Sequence, residues 1–143
     1  MKKTINSIIC LTLSLVFILC LVSCGNKVDA SGLWENATYL KDTKLGKGEK
    51  TIEVEVKVQD QSITFTINTD KKTLGDALLE HNIIAGEEGP YGLYVKTVNG
   101  MTLDEKSGNY YWAFYKDGDY LMTGVESTEI SDGEHYEIVY ERF

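Results

Sequence analysis

Thr51-Ile52-Glu53-Val54-Glu55-Val56-Lys57-Val58-Gln59-Asp60-Gln61-Ser62-Ile63-Thr64-Phe65-Thr66-Ile67 is the stretch whose pattern decides the fold class. Ile52, Val54, Val56 and Val58 fall on one side of an extended chain, and Glu53, Glu55 and Lys57 on the other. Ile63, Phe65 and Ile67 repeat the alternation against Thr64 and Thr66. A period of two over such runs predicts half-buried strands. Gln59-Asp60-Gln61 is short enough to close a hairpin, with one face buried and one wet, as in an antiparallel pair.

Downstream, Thr73-Leu74-Gly75-Asp76 opens a helix. Thr73 can cap it, and Asp76 can reach back as in a capping box. Leu74, Ala77, Leu78 and His81 follow at helical spacing, and Gly86 is the expected stop. The remainder reads as β: Tyr91 to Val98 ending at the turn dipeptide Asn99-Gly100, then Tyr110 to Tyr115, Tyr120 to Met122 after Asp117-Gly118, and a last strand through Tyr136, Ile138 and Tyr140. Hairpin, helix and further strands make an α+β fold. The expectation is one small β-grasp-like domain: a mixed, mostly antiparallel sheet with one helix packed across it and a right-handed crossover.

Upstream, Lys2 and Lys3 precede a nearly all apolar run from Ile5 to Val22 that carries no charge. That is the pattern of an export signal. Leu21-Val22-Ser23-Cys24 then supplies an apolar residue, a small residue and a thiol in the order of a bacterial lipobox. The expectation is a signal over residues 1–23, lipidation of Cys24, a tether over 24–32 and a domain over 33–143. Trp34 and Tyr39 are expected to dock on that domain, with a short strand near Ala37 to Leu40. The protein would sit on the extracytoplasmic face of the cell membrane, held by acyl chains worth about 0.8 kcal/mol per buried methylene.

Without residues 1–23, 120 residues remain, with 12 basic and 22 acidic side chains and a net charge of −10. Such a surface repels phosphate backbones, so nucleic acid is excluded as a partner. It also repels anionic lipid, which leaves the acyl chains as the hold on the membrane. Cys10 and Cys20 leave with the signal and Cys24 takes lipid, so no disulfide is available and stability rests on the core. A monomer is expected.

Catalytic machinery is hard to find. His81 and His135 have no ligand partners at metal spacing, so no metal site is expected. No Gly-x-Ser-x-Gly elbow is present. Gly46-Lys47-Gly48 is too short for a phosphate loop. Glu87-Glu88 and Asp117/Asp119 are expected in solvated turns. The chain therefore reads as a non-enzyme with no required cofactor.

The informative chemistry is aromatic. Tyr110-Tyr111-Trp112-Ala113-Phe114-Tyr115 places Tyr110, Trp112 and Phe114 on one face and Tyr111, Ala113 and Tyr115 on the other. Both faces are aromatic and only one can be core. The second either packs on another element or offers contact area to a flat ligand or a protein.

Gly89-Pro90-Tyr91-Gly92-Leu93-Tyr94-Val95-Lys96-Thr97-Val98-Asn99-Gly100, then Tyr111-Trp112-Ala113-Phe114-Tyr115, Gly124-Val125 and Asp132-Gly133-Glu134, resemble the C-terminal β domain of transcobalamin and intrinsic factor. The resemblance spans roughly Thr73 to Phe143. It implies a ligand face built from Tyr91, Gly92, Leu93, Tyr94, Trp112, Ala113, Phe114, Tyr115 and Leu121, with cobalamin or another corrinoid as ligand. The animal proteins complete the site with a large helical domain and a cobalt-ligating His. This chain has no room for that domain and offers one face of such a site. The alternative is a cell-surface adaptor that presents the same aromatics to a protein or a glycan.

Overall fold

A computed structural model describes residues 25–106 and 108–143. The expected signal over 1–23 and Cys24 lie outside the described residues. The alternating stretch forms β2 (Lys50–Val58) and β3 (Gln61–Thr69), and Thr43–Gly46 forms a short β1 ahead of them. β2 and β3 pair antiparallel along their whole length, with Ile52 opposite Ile67, Val54 opposite Phe65 and Val56 opposite Ile63. Those six side chains are fully buried. The turn is tighter than expected: Gln61 already belongs to β3, and Gln59 takes a positive φ of 57°.

The later strands are β4 (Ile84–Gly89), β5 (Gly92–Val98), β6 (Met101–Thr102), β7 (Tyr110–Lys116), β8 (Asp119–Tyr120) and β9 (His135–Arg142). Asn99-Gly100 and Asp117-Gly118 make the tight turns expected of them, with φ values of 51°, 81°, 49° and 86° that suit these residues. Two sheets result. Six strands run in the order β1-β3-β2-β9-β7-β8, and three in the order β4-β5-β6. β1 lies parallel to β3 and β9 parallel to β2, while the other pairs are antiparallel. Among the described residues the fold is mostly β, mixed, with a single α-helix.

That helix, α1 (Leu74–Glu80), begins as expected, with the Thr73 hydroxyl accepting the Asp76 N–H at 3.2 Å. It stops one and a half turns before Gly86, because Asn82 takes a φ of 54° and turns the chain into β4. α1 therefore delivers the chain to the second sheet and not straight back into the first, so the expected crossover is not made directly. Leu74, Ala77 and Leu78 join Ile52, Val54, Phe65, Tyr136 and Ile138 in one core. Gly86 instead marks a bulge in β4, where an added Cβ would lie 1.9 Å from the Tyr94 carbonyl oxygen. Glu87 and Glu88 stand on β4, not in a turn, since β5 supplies the backbone partner their local sequence does not advertise.

Packing also starts before residue 33. The Val28 N–H donates to Leu40 O at 2.9 Å, Lys27 bridges Lys41, and Val28 is buried. Asn26 exchanges bonds with Asp42, donating to its carboxylate at 2.7 Å and accepting from its N–H at 2.9 Å. The stretch expected as a tether is held from Asn26 onward. Trp34 docks, buried within a 3₁₀ turn at Gly32–Asn36. Ala37 to Leu40 bends at Thr38 and Leu40 and forms no strand. Thr38 and Tyr39 bond instead to Asn99, whose side chain accepts from Tyr39 N–H at 3.0 Å and donates to Tyr39 O at 2.9 Å. Tyr39 then sets its ring edge-on to Phe65.

Candidate functional site

β7 enters the sheet beside β9, with Trp112 opposite Tyr140 and Phe114 opposite Ile138. The alternation assigns its two faces as the sequence implies. On the core side Trp112 is buried, tilted against Tyr140, and its Nε1 donates to Lys96 O at 3.3 Å. Tyr110 stacks on Tyr140 with ring centroids 4.8 Å apart. On the other face Tyr111 and Tyr115 both donate from their hydroxyls to Glu141, at 3.0 and 2.5 Å. The bond to this carboxylate pushes Tyr115 up to about 12 and raises Tyr111 as well, since ionising either phenol would set it against a negative charge. Tyr111 also stacks on Phe143, and Tyr115 meets Tyr120 edge to face.

β8 covers only the last two residues of β7. Beyond it, a groove of about 230 Å³ opens between the edge of β7 and the start of β5. Leu93, Tyr94 and Val95 form one wall. Tyr111, Trp112 and Phe114 form the second, and Tyr120, Leu121 and Thr123 to Val125 close the end. A 3₁₀ turn, Val125–Ser127, braces that end: Glu126 accepts the Leu93 N–H at 2.8 Å. The rim is aromatic and wet. Tyr94 is 51% and Tyr120 49% exposed, while Tyr91 at 98% and Met122 at 89% project almost freely. Aromatic surface left in water next to a concavity is the kind of feature at which proteins take up ligands or partners.

Of the nine residues expected at a ligand face, Leu93, Tyr94, Trp112, Phe114 and Leu121 line this groove together. Tyr91 stands outside it on the rim. Gly92 begins β5 with φ 98°, beside Glu126. Ala113 is buried under the opposite face and Tyr115 is turned away toward Glu141, so neither meets the other seven. Side chains alternate between faces along a strand, which turns Ala113 and Tyr115 to the side of β7 opposite Trp112 and Phe114. The groove adds Val95, Tyr111, Tyr120, Thr123, Gly124 and Val125. Tyr111 reaches it from the far face because the groove wraps the sheet edge. Of these, Tyr111 and Tyr120 carry an aromatic signal in the sequence, and the others carry none.

Two further charged clusters are built on Lys96 of β5 and Lys116 of β7. Lys96 is held by Glu105 at 2.6 Å and Glu87 at 3.0 Å, and these bonds raise its pKa. Lys116 bonds Glu134 at 2.5 Å. Burial pulls Glu134 upward, but its bonds from Lys116, Tyr136 and Ser131 prevail and hold it below the usual carboxylate range. His81 ends α1 and His135 begins β9, in separate places. Among the described residues no three of His, Cys, Asp and Glu gather as metal ligands.

Residues 71–142 match a family described as a domain of unknown function, DUF4430. The chain belongs to the DUF4430 family. The matched segment runs from the approach to α1 through β9 and so contains every residue lining the groove. A crystal structure from Ruminococcus gnavus, described as that of a candidate metal-binding protein, is similar to this DUF4430 chain. It shares 35% identity at a TM-score of 0.63, over 66% of this chain and 99% of that one. Haptocorrin in complex with Cbi is similar in fold, at 18% identity and a TM-score of 0.50. That match covers 66% of this chain and 25% of haptocorrin, so the DUF4430 chain spans about a quarter of it. A comparison with curated proteins gave no match.

Proposed function

We propose that this protein is a membrane-anchored extracytoplasmic lipoprotein whose DUF4430 domain is a non-enzymatic binding module for a flat, largely apolar ligand of corrinoid type. The observation that carries this reading is the solvent-open aromatic groove between β5 and β7. Leu93, Tyr94, Trp112, Phe114 and Leu121 gather there, and Tyr91 and Gly92 stand at its edge. Support comes also from the fold shared with haptocorrin, a protein crystallised with Cbi. The hairpin, helix and parallel return of β9 onto β2 support a β-grasp-like description. The metal-binding description of the R. gnavus relative finds no matching ligand set among the described residues.

Trp112 in the groove wall reports the test. Titrating cobalamin or cobinamide into the full chain in nanodiscs should quench tryptophan fluorescence saturably at micromolar ligand. Replacing Trp112 by Phe should remove most of that response. An unchanged spectrum at high micromolar corrinoid rejects the corrinoid ligand. A second reading, a surface adaptor for a protein, is favoured by Tyr91 and Met122, which project clear of the groove. It predicts partners in a membrane extract that Tyr91→Ser with Met122→Ser no longer retains.

A further inference from the structure

Charge is unevenly distributed along this chain. Residues 25–72 hold 8 basic and 8 acidic side chains and are neutral. Residues 73–143, which build the groove, hold 4 basic and 14 acidic side chains, a net charge of −10. The whole excess therefore lies on the half that binds. Of the four cations there, Lys96 is held between two carboxylates and Lys116 by another. None of the residues lining the groove is Lys, Arg or His.

Carboxylates, by contrast, come close to its walls. Glu126 is exposed and fixed at the rim by the Leu93 N–H, 2.8 Å away. Glu141 accepts from the hydroxyl of Tyr111, so a negative charge stands directly behind one aromatic wall. Asp119 adjoins Tyr120 on β8 and is exposed. An aromatic face attracts a cation through its quadrupole, and Tyr94, Tyr120, Phe114 and Trp112 present such rings around one concavity. A cleft lined by apolar walls within a field of one sign also concentrates counter-ions.

We infer that the groove selects hydrophobic cations: ligands with a flat or bulky apolar body carrying delocalised or quaternary positive charge. This rests on the proposed binding role of the groove and names the charge of what it takes. The body lies against Leu93, Phe114 and Leu121, and the charged part faces Tyr94, Tyr120 and Glu126. An anion of the same shape meets the same apolar contacts but an opposing field.

The experiment compares three near-isosteric probes: the cation N-methylquinolinium, neutral methylnaphthalene and the anion naphthoate. Equilibrium dialysis against the full chain in zwitterionic nanodiscs, with uptake by empty discs subtracted, measures each. The expected result is the order cation, neutral, anion, with the cation about tenfold tighter than the neutral probe at low salt. The advantage over the anion should shrink by several-fold at about 0.5 M NaCl, where screening is strong. Glu126→Gln keeps an acceptor for Leu93 N–H and should weaken only the cation by several-fold. Asp119→Asn on exposed β8 should act in the same direction and serves if the first variant perturbs the turn. Equal binding of all three probes, or a preference for naphthoate, overturns the charge selection while leaving the groove an apolar binding site. If no probe binds, the charge selection also falls, and the corrinoid titration separately decides the binding role.

Discussion

The β2–β3 and β7–β8 hairpins belong to the same sheet and use the same alternation of side chains. In β2–β3 nine residues face nine, and the inward side chains are sealed in the core. In β7–β8 seven residues meet a partner only two residues long, and the strand edge beyond is flanked by half-exposed aromatics. The first hairpin uses its apolar surface for stability. The second has more aromatic surface than its partner can cover, and the surplus forms the groove. The difference lies less in residue type than in how much of each strand is paired.

The sharpest way to break this comparison is to truncate one phenylalanine from each hairpin. Phe65→Ala removes a fully buried ring from β3 and should cost about 3–5 kcal/mol in urea unfolding. Phe114→Ala, in the groove wall and partly exposed, should cost about 1–2 kcal/mol. Equal losses would mean that Phe114 is structural and the groove incidental.

A smaller effect separates the two sheets. Gly86→Ala places a methyl against the Tyr94 carbonyl and should cost about 1–3 kcal/mol as β4 and β5 move apart. Hydrogen exchange should show the loss in β4 and β5, with β2 and β3 still protected. Smaller again is Thr73→Ala, which removes the cap on α1 and should cost about 1 kcal/mol by thermal unfolding. Neither variant replaces a groove-lining side chain.

The same contrast explains what could be read from the chain. β2, β3 and β9 were legible because each has one buried face, and burial imposes the period of two. β4 was not. Ile84-Ala85-Gly86-Glu87-Glu88-Gly89 has a single buried apolar residue and two glycines, so nothing local marks it as a strand. Its order comes from β5. β1 is likewise short and gains its partner from β3. At the site, the aromatic run of β7 announced itself, and the alternation correctly divided its faces. Ala113 and Tyr115 entered the expected ligand face by their place in a matching segment, whereas the pleat sends them to the other side. The closing end at Thr123 to Val125 depends on a three-residue turn that no periodicity could reveal.

The smallest expected effect concerns that other side of β7. Tyr115 loses its proton at about 12 in the folded chain, against about 10 when unfolded, chiefly because its hydroxyl donates to Glu141. A folded-state value above the unfolded one means that the native state holds the proton more tightly. The resulting stabilisation is complete below pH 10, declines as pH rises through the interval, and is gone above about pH 12. Tyr115 is only partly buried and solvent still screens its bond to Glu141, so the contribution is small. Ultraviolet titration should show late-ionising tyrosines in the native protein. Glu141→Gln should move Tyr115 and Tyr111 back toward ordinary values, since the charge they would face is removed while an acceptor remains. If the native titration is unchanged in that variant, the Glu141 bonds do not hold the outer tyrosines. The outer face of β7 would then be as free to bind as the groove, and the contrast between its two faces would fail.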